Sequence, residues 1–238
     1  MPSSRSGPDP LDPGPQGFAH RGLHFGAQFP ENSLIAFAAA LEAGAGIECD
    51  VRLTRDNKIV VFHDADACRM CASPLVISKS SHSELGRLRV GEHPIPTLGS
   101  LFTMVAGRVP LLIEVKTRED IWRWVPAMKC AIGDYPGPFG IMSFDPRIPR
   151  LLKTNLPHIR RGLVIRDSLP VWKRRVALWL AAPDFIAVER IALGEPWVAD
   201  LRKRLPVYSW TIATAEQRAQ AMVHADALIW EADGRPRN

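Results

Sequence analysis

Eight short apolar runs recur along the chain, at residues 17–20, 47–51, 110–116, 139–144, 162–165, 185–188, 207–212 and 227–231. The runs are near-continuously apolar through most of their length, as expected of strands covered on both faces rather than half-exposed ones. Segments with helical spacing lie between them. The first opens at Pro30-Glu31-Asn32-Ser33, with Asn32 or Ser33 as N-cap and Leu34, Ile35, Phe37, Ala38 and Leu41 as its apolar face; Gly44 and Gly46 end it. Thr97 caps a second helix whose apolar positions are Leu98, Leu101, Phe102 and Val105. Further helices are predicted at about 119–132, 146–153, 170–181, 195–204 and 214–223. Strand and helix alternating in this way predict an α/β fold built as a parallel (β/α)8 TIM barrel.

Three segments depart from the repeat. Residues 58–63 form a short extra strand after the turn Thr54-Arg55-Asp56-Asn57, placed to make a hairpin with the second strand. Residues 65–96 show little periodicity and many Ser and Pro, and an insertion of this length is usually a functional lid or a small subdomain. Only seven residues follow Glu231, too few for an eighth outer helix, so the seam is left to the N-terminal segment or to a partner chain.

At 238 residues and 46% apolar the chain can bury one barrel core, and residues 16–238 read as a single domain. Residues 1–15 are rich in Pro, Ser and Gly and lack the apolar stretch of a signal peptide; they read as a disordered or bottom-capping lead-in. The net charge is +5 and the 30 Lys and Arg look scattered over the whole chain, which favours anionic small-molecule ligands over nucleic acid. No apolar run approaches the ~20 residues of a membrane span, so stable membrane insertion is not expected. A homo-oligomer stays open. Four cysteines, Cys49, Cys68, Cys71 and Cys130, suggest a reducing, cytoplasmic setting without a disulfide framework. Cys68 and Cys71 have C-x-x-C spacing but no second ligand pair for zinc. The basic, apolar segment 171–180, with Trp172 and Trp179, invites a membrane-surface reading, but its place between the fifth and sixth strands assigns it to an outer barrel helix.

Chemistry gathers where the runs end. In a barrel of this kind the active site lies at the C-terminal ends of the strands, and those ends carry His20, Glu48, Asp50, Glu114, Lys116, Ser143, Trp210 and Glu231. Glu48 and Asp50, two apart on one strand, face the same side. Two carboxylates at one buried spot repel, and a bound cation keeps both ionised; hard oxygen ligands suit magnesium or calcium. Each such residue alone has an ordinary structural explanation, and their convergence on one rim is what points to a site.

These residues also carry a family resemblance. Ala19-His20-Arg21-Gly22, Pro30-Glu31-Asn32-Ser33, Ile47-Glu48-Cys49-Asp50-Val51, Val61-Phe62-His63-Asp64, Pro94-Ile95-Pro96-Thr97-Leu98, Ile113-Glu114-Val115-Lys116 and Ser209-Trp210-Thr211 together resemble the glycerophosphodiester phosphodiesterase family. The match is dense up to Lys116 and thinner beyond it. The resemblance implies metal-dependent hydrolysis of glycerophosphodiesters to glycerol 3-phosphate and an alcohol. It assigns Glu48, Asp50 and Glu114 to one divalent cation (magnesium, calcium or manganese), His20 and His63 to acid–base catalysis, and Arg21, Lys116 and Trp210 to substrate and phosphate. In related enzymes a glycerol hydroxyl attacks phosphorus to give a cyclic phosphate that water opens, which makes His20 the first base and His63 the first acid. Glu231 stands where the family often has Asp. Two alternatives remain: a lysophospholipid-cleaving enzyme on the same barrel, and a non-catalytic barrel that binds phosphodiesters or a partner protein.

Overall fold

The computed structural model describes residues 9, 11–117 and 120–236. Eight parallel strands close on themselves: β1 (Phe18–Ala19), β2 (Gly46–Leu53), β3 (Leu111–Val115), β4 (Phe139–Ser143), β5 (Arg160–Ile165), β6 (Phe185–Glu189), β7 (Val207–Ile212) and β8 (Ala227–Trp230). The shortest strand closes the ring. Phe18 registers with Gly46 of β2 on one side and with Ile229 of β8 on the other. The (β/α)8 barrel expected from the sequence is the fold observed.

Side chains alternate between two apolar layers. Ile47, Cys49 and Val51 of β2 and Leu111, Ile113 and Val115 of β3 face outward into the layer shared with the helices. Leu112, Met142, Val164, Phe185, Ala187, Tyr208 and Ile229 fill the inside. Gly162 is a place where only glycine fits, because a Cβ there would sit 2.3 Å from a ring carbon of Phe185. The outer layer consists of α1 (Leu34–Glu42), α2 (Leu98–Val105), α3 (Trp124–Ile132), α4 (Arg147–Asn155), α5 (Val171–Ala181), α6 (Pro196–Arg202) and α7 (Ala215–His224). After β8 the described residues hold only the short 3-10 turn Ala232–Gly234, so an eighth outer helix is absent among them.

Local chemistry explains the helix ends. Ser33 is the N-cap of α1, accepting from the Ala36 amide, and Thr97 with Ser100 makes a capping box on α2. On α1 the expected apolar face is rotated: Ala36, Phe37 and Ala40 are buried while Ile35 and Ala38 are half-buried. Phe37, Leu34 and Leu41 of the expected face do pack against the core, the last two partly buried, with Ala36 and Ala40 buried beside them. Helix α3 starts later than its spacing suggests, after a 3-10 turn at Ile121–Arg123, with Pro126 in the first turn where its missing N–H costs nothing; residue 119, its expected start, lies outside the described residues.

The insertion is a small subdomain. The strand Ile59–Val61 pairs antiparallel with β2, as the sequence suggests. Beyond it come the short helices Cys68–Cys71 and His82–Leu85 and a two-stranded ribbon of Arg89–Val90 and His93–Pro94. Val60, Phe62, Ala67, Ile77, Leu85, Val90 and Ile95 give these pieces their own core. The turn at Gly91 lies on the loop after β1: a Cβ there would be 2.7 Å from the Ala27 carbonyl oxygen. The two loops flanking the strand ends therefore touch.

The N-terminal segment plugs the barrel floor. Leu11, 1% exposed, packs within the inner core. Asp9 accepts from the Tyr208 hydroxyl at 2.8 Å and from Arg160 at 3.1 Å. The segment also reaches the seam where an eighth helix would lie, since Arg218 donates to the Pro15 carbonyl and Trp230 to that of Gln16. Residues 1–8 and 10 of the predicted lead-in lie outside the described residues. Leu11→Ala is expected to lower stability by about 2–5 kcal/mol, the usual cost of emptying a buried leucine site. Urea unfolding checks this, and an unchanged midpoint would show that the segment is no part of the core.

Candidate active site

The site begins with strand alternation. Because Cys49 faces the helices, Glu48 and Asp50 point into the barrel, and register places Asp50 beside Glu114 of β3. Carboxylate oxygens of Glu48, Asp50 and Glu114 lie within 4.8 Å of one another, on three buried residues. Burial together with the neighbouring acids Asp50 and Glu114 pushes the Glu48 carboxyl far above its usual range. Burial likewise raises Glu114, to about 7, despite Lys116 beside it. Asp50 is equally buried, yet Lys116 and Arg21 outweigh burial and hold it well below the ordinary value.

Two atoms of this cluster are left short of partners. Asp50 Oδ1 and Glu114 Oε1 are buried and accept no well-formed hydrogen bond, although Lys116 Nζ stands 3.1 and 2.5 Å away in ion-pair contact. Three hard oxygen donors, more negative charge than the one ammonium beside them offsets, and mutual repulsion together fit a divalent cation such as magnesium, calcium or manganese. Two other oxygens of the cluster are held by hydrogen bonds. Glu48 Oε2 accepts from the Arg21 amide at 3.0 Å. Asn32 holds Asp50 from both ends, donating to Oδ2 at 2.9 Å and accepting from the Asp50 amide at 3.1 Å.

Each histidine is gripped by a carboxylate. His20 Nδ1 lies 2.7 Å from Glu231 Oε2, and His63 Nδ1 lies 2.7 Å from Asp64 Oδ1. An ionised carboxylate can only accept, so each Nδ1 carries a proton and each Nε2 is the nitrogen left free to take up or give one. In His20 that nitrogen stands 4.0 Å from Glu48 Oε2, facing the acidic cluster. Burial draws the His63 pKa below the usual value, against the pull of Asp50 and Asp64. The hydrogen bond from His20 keeps Glu231 ionised below the ordinary carboxylate range. His24 joins this pair, its Nε2 3.9 Å from Glu231, with burial lowering its pKa.

The second histidine belongs to a longer chain of charges. Asp64 Oδ2 accepts from Arg69 Nε at 2.6 Å. Arg69 then grips both oxygens of Glu31, at 2.6 and 3.1 Å. Glu31 accepts from Arg21 at 3.0 Å, and Arg21 Nε reaches Asp50 Oδ2 at 3.1 Å. The insertion, the loop after β1 and the acidic cluster are thus joined through side chains.

Of the eight site residues expected from the resemblance, seven (His20, Arg21, Glu48, Asp50, His63, Glu114 and Lys116) gather around the carboxylates through ion pairs and hydrogen bonds. The eighth, Trp210, stands apart on the opposite wall. Its indole N–H donates to the Ala187 carbonyl, so it offers its ring, set edge-on to Phe144 at 5.4 Å. Lys116 and Arg166 lie over that Phe144 ring, at 5.6 and 4.7 Å. Ser143, another strand-end residue, spends its hydroxyl on the Val115 carbonyl and is structural. His24, Arg69, Phe144 and Arg166 carry no pattern in the sequence that marks them as site residues. Glu31 and Asn32 stood inside a noted motif, but Asn32 was read as a cap when it is a brace for Asp50.

Comparison with known proteins agrees with this geometry. The model of the glycerophosphoryl diester phosphodiesterase family matches residues 20–232. A glycerophosphodiester phosphodiesterase of Bacillus altitudinis is 34% identical over 167 residues, covering 64% of this chain and 67% of that protein. Among solved structures, a phosphodiesterase of Oleispira antarctica in complex with the product sn-glycerol-3-phosphate superposes with a TM-score of 0.81 at 22% identity, covering 92% of this chain and 94% of that one. A glycerophosphodiester phosphodiesterase of Thermotoga maritima gives 0.74 at 27% identity, over 90% and 92%. The match spans the barrel from His20, just after its first strand, to the turn after its last, and the chain belongs to the glycerophosphoryl diester phosphodiesterase family.

Proposed function

We propose that this protein hydrolyses glycerophosphodiesters to glycerol 3-phosphate and an alcohol, with Glu48, Asp50 and Glu114 holding one divalent cation and His20 and His63 moving protons. The observation that carries this reading is the pairing of a buried three-carboxylate cluster with two histidines whose Nδ1 atoms are both fixed by carboxylates. The relatives named as glycerophosphodiester phosphodiesterases, and the product bound to the Oleispira protein, support the substrate class. A cation in the carboxylate cluster would offset charge developing on the phosphoryl oxygens.

The chain's own residues do the rest. Arg21 and Lys116, already beside Asp50, attract the diester anion. His20 Nε2 accepts the proton of the glycerol hydroxyl as that oxygen attacks phosphorus, and Glu231 stabilises the imidazolium. His63, entering this step protonated on both ring nitrogens with Nδ1–H held by Asp64, gives its Nε2 proton to the departing alcohol oxygen, leaving a cyclic phosphate and a neutral His63. Water opens the ring with the two roles exchanged. Trp210 and Phe144 wall the glycerol side. The free thiols fit a reducing compartment, and we place the protein in the cytoplasm; no helix among the described residues is long and apolar enough to cross a membrane. Residues 16–238 act as one catalytic domain, with 65–96 as its lid. The lysophospholipid alternative has less support, because an acyl-chain site is lined mostly by hydrophobic groups and the lid is polar.

Metal dependence has a sign that follows from the carboxylates. Folded-state pKa values of Glu48 and Glu114 lie above the unfolded ones, so without a cation these groups favour the fold at low pH and oppose it as pH rises toward 7. Added magnesium, calcium or manganese is therefore expected to raise the melting temperature more at pH 8 than at pH 6. Glu114→Gln should diminish that shift while keeping the cation-free protein at least as stable as wild type. Chelation should abolish turnover; full activity in metal-analysed, chelated protein would refute the assignment.

His20→Ala and His63→Ala should each lower kcat by ~10²–10⁴, the usual worth of a proton-transfer group. Arg69→Ala, which frees Asp64, should follow His63→Ala in a specific way. Both are expected to slow glycerophosphocholine cleavage strongly and cleavage of the p-nitrophenyl ester of glycerol 3-phosphate weakly, since nitrophenolate needs no proton to leave. His20→Ala should slow both substrates alike. Equal losses on the two substrates in the His63 variant would remove it as the acid.

Substrate preference follows from the lid. Glycerophosphocholine or glycerophosphoethanolamine should show a higher kcat/KM than the matching lysophospholipid below its micellar concentration. The reverse order would move the protein to the lipase-like reading.

A further inference from the structure

Charge is distributed unevenly along the chain. Residues 147–181, which span α4, β5 and α5, hold nine Lys and Arg against one acid, Asp167, while the whole chain has a net charge of only +5. The scatter suggested by overall composition does not describe this segment. Neither α4 nor α5 contains an acid.

Some of this charge is spent internally. Arg160 and Arg161 pair with Asp9 and Asp184, and Arg147 pairs with Asp145. Arg166 faces Phe144 at the active-site rim. Arg150 and Lys153 of α4 and Lys173 and Arg175 of α5 are different: all four are exposed and make no ion pair among the described residues. The two helices pack side by side on the barrel wall.

Helix α5 adds a second feature. A barrel helix is expected to hide its large apolar residues, but α5 buries Ala177 and Ala181 and turns its tryptophans outward. Trp172 is 65% exposed, Val176 52% and Trp179 81%. Their spacing of four and three residues puts them on one face, with Arg175 beside them. Lys173 Nζ lies 5.4 Å from the Trp172 ring. The helix therefore has two apolar faces, a small one on the barrel and a large one in water.

We propose that the α4–α5 wall is a peripheral docking surface for an anionic lipid bilayer, with α5 lying in the plane of the headgroups. Tryptophan is the side chain best suited to that layer, having an apolar body and a polar N–H. Unpaired Lys and Arg flanking an exposed apolar stripe is the pattern of helices that lie on membranes, and the positive charge complements anionic headgroups. A convex helix offers no groove to cradle a nucleic-acid strand. The proposal concerns adsorption and not a span, and it stands apart from the catalytic reading, since none of these side chains belongs to the carboxylate and histidine cluster.

The experiment is co-sedimentation of the full chain with unilamellar vesicles of phosphatidylcholine alone or mixed equally with phosphatidylglycerol. Wild type is expected to pellet with the anionic vesicles at low salt and to be released by high salt, as screening requires. Trp172→Ala with Trp179→Ala, and separately Lys173→Glu with Arg175→Glu, should weaken binding at least tenfold while circular dichroism and turnover of glycerophosphocholine stay unchanged. Failure to bind anionic vesicles, equal binding to neutral ones, or undiminished binding by either variant would overturn the proposal. So would a lipid-free dimer that the tryptophan variant dissolves, which would give the face to a second copy of the chain.

Discussion

Three buried carboxyl groups with oxygens within 4.8 Å of one another set the terms for the rest of this molecule. Removing one such charge from water is costly, and removing three together is tolerable only if protons, cationic side chains or a metal ion offset them. The chain supplies the first two itself. Glu48 and Glu114 lean toward their protonated forms, and Arg21, Lys116 and Asn32 converge on Asp50. The apolar barrel below is what fixes the geometry, since Asp50 and Glu114 are neighbours in the β2–β3 ladder and the floor is sealed by Leu11, Phe185 and Tyr208. A mouth that is electrostatically unsatisfied on a rigid apolar base is suited to gripping a cation and, through it, a phosphodiester.

The same cluster gives the insertion a role beyond covering the site. Arg69 sits in a short helix 38 residues from Glu31, yet it bridges Glu31 and Asp64 with three hydrogen bonds. His63 is thereby oriented by a carboxylate that is itself held, while Arg21 is held by the other end of the same bridge. The insertion and His63 are thus joined in one side-chain network. The first histidine is organised independently, by Glu231 from the last strand, with His24 beside it.

How much of this was legible in the sequence differs from residue to residue. Barrel, strand order and rim followed from period and from apolar runs ending in charge, because parallel strands buried on both faces leave that pattern plainly. Glu48 and Asp50 declared themselves through i, i+2 spacing. Glu231, a Glu where the family often has Asp, turned out to reach His20. Arg69 is hidden because its partner Glu31 is distant in sequence and nothing in Cys68-Arg69-Met70-Cys71, whose cysteines are free, marks its arginine out. Asn32 was hidden by a plausible local job as a cap. On α5 the apolar residues themselves are visible but the face they present is not: the helix buries Ala177 and Ala181 and leaves Trp172 and Trp179 in water.

Phosphorus NMR of glycerophosphocholine during turnover by the magnesium-supplemented protein tests the central claim most directly, because it reports which bond to phosphorus breaks. The expected result is loss of the diester resonance with growth of glycerol 3-phosphate, through a transient cyclic phosphate when His20 or His63 is impaired. Formation of phosphocholine and free glycerol, or no change at all in the diester, would contradict the account.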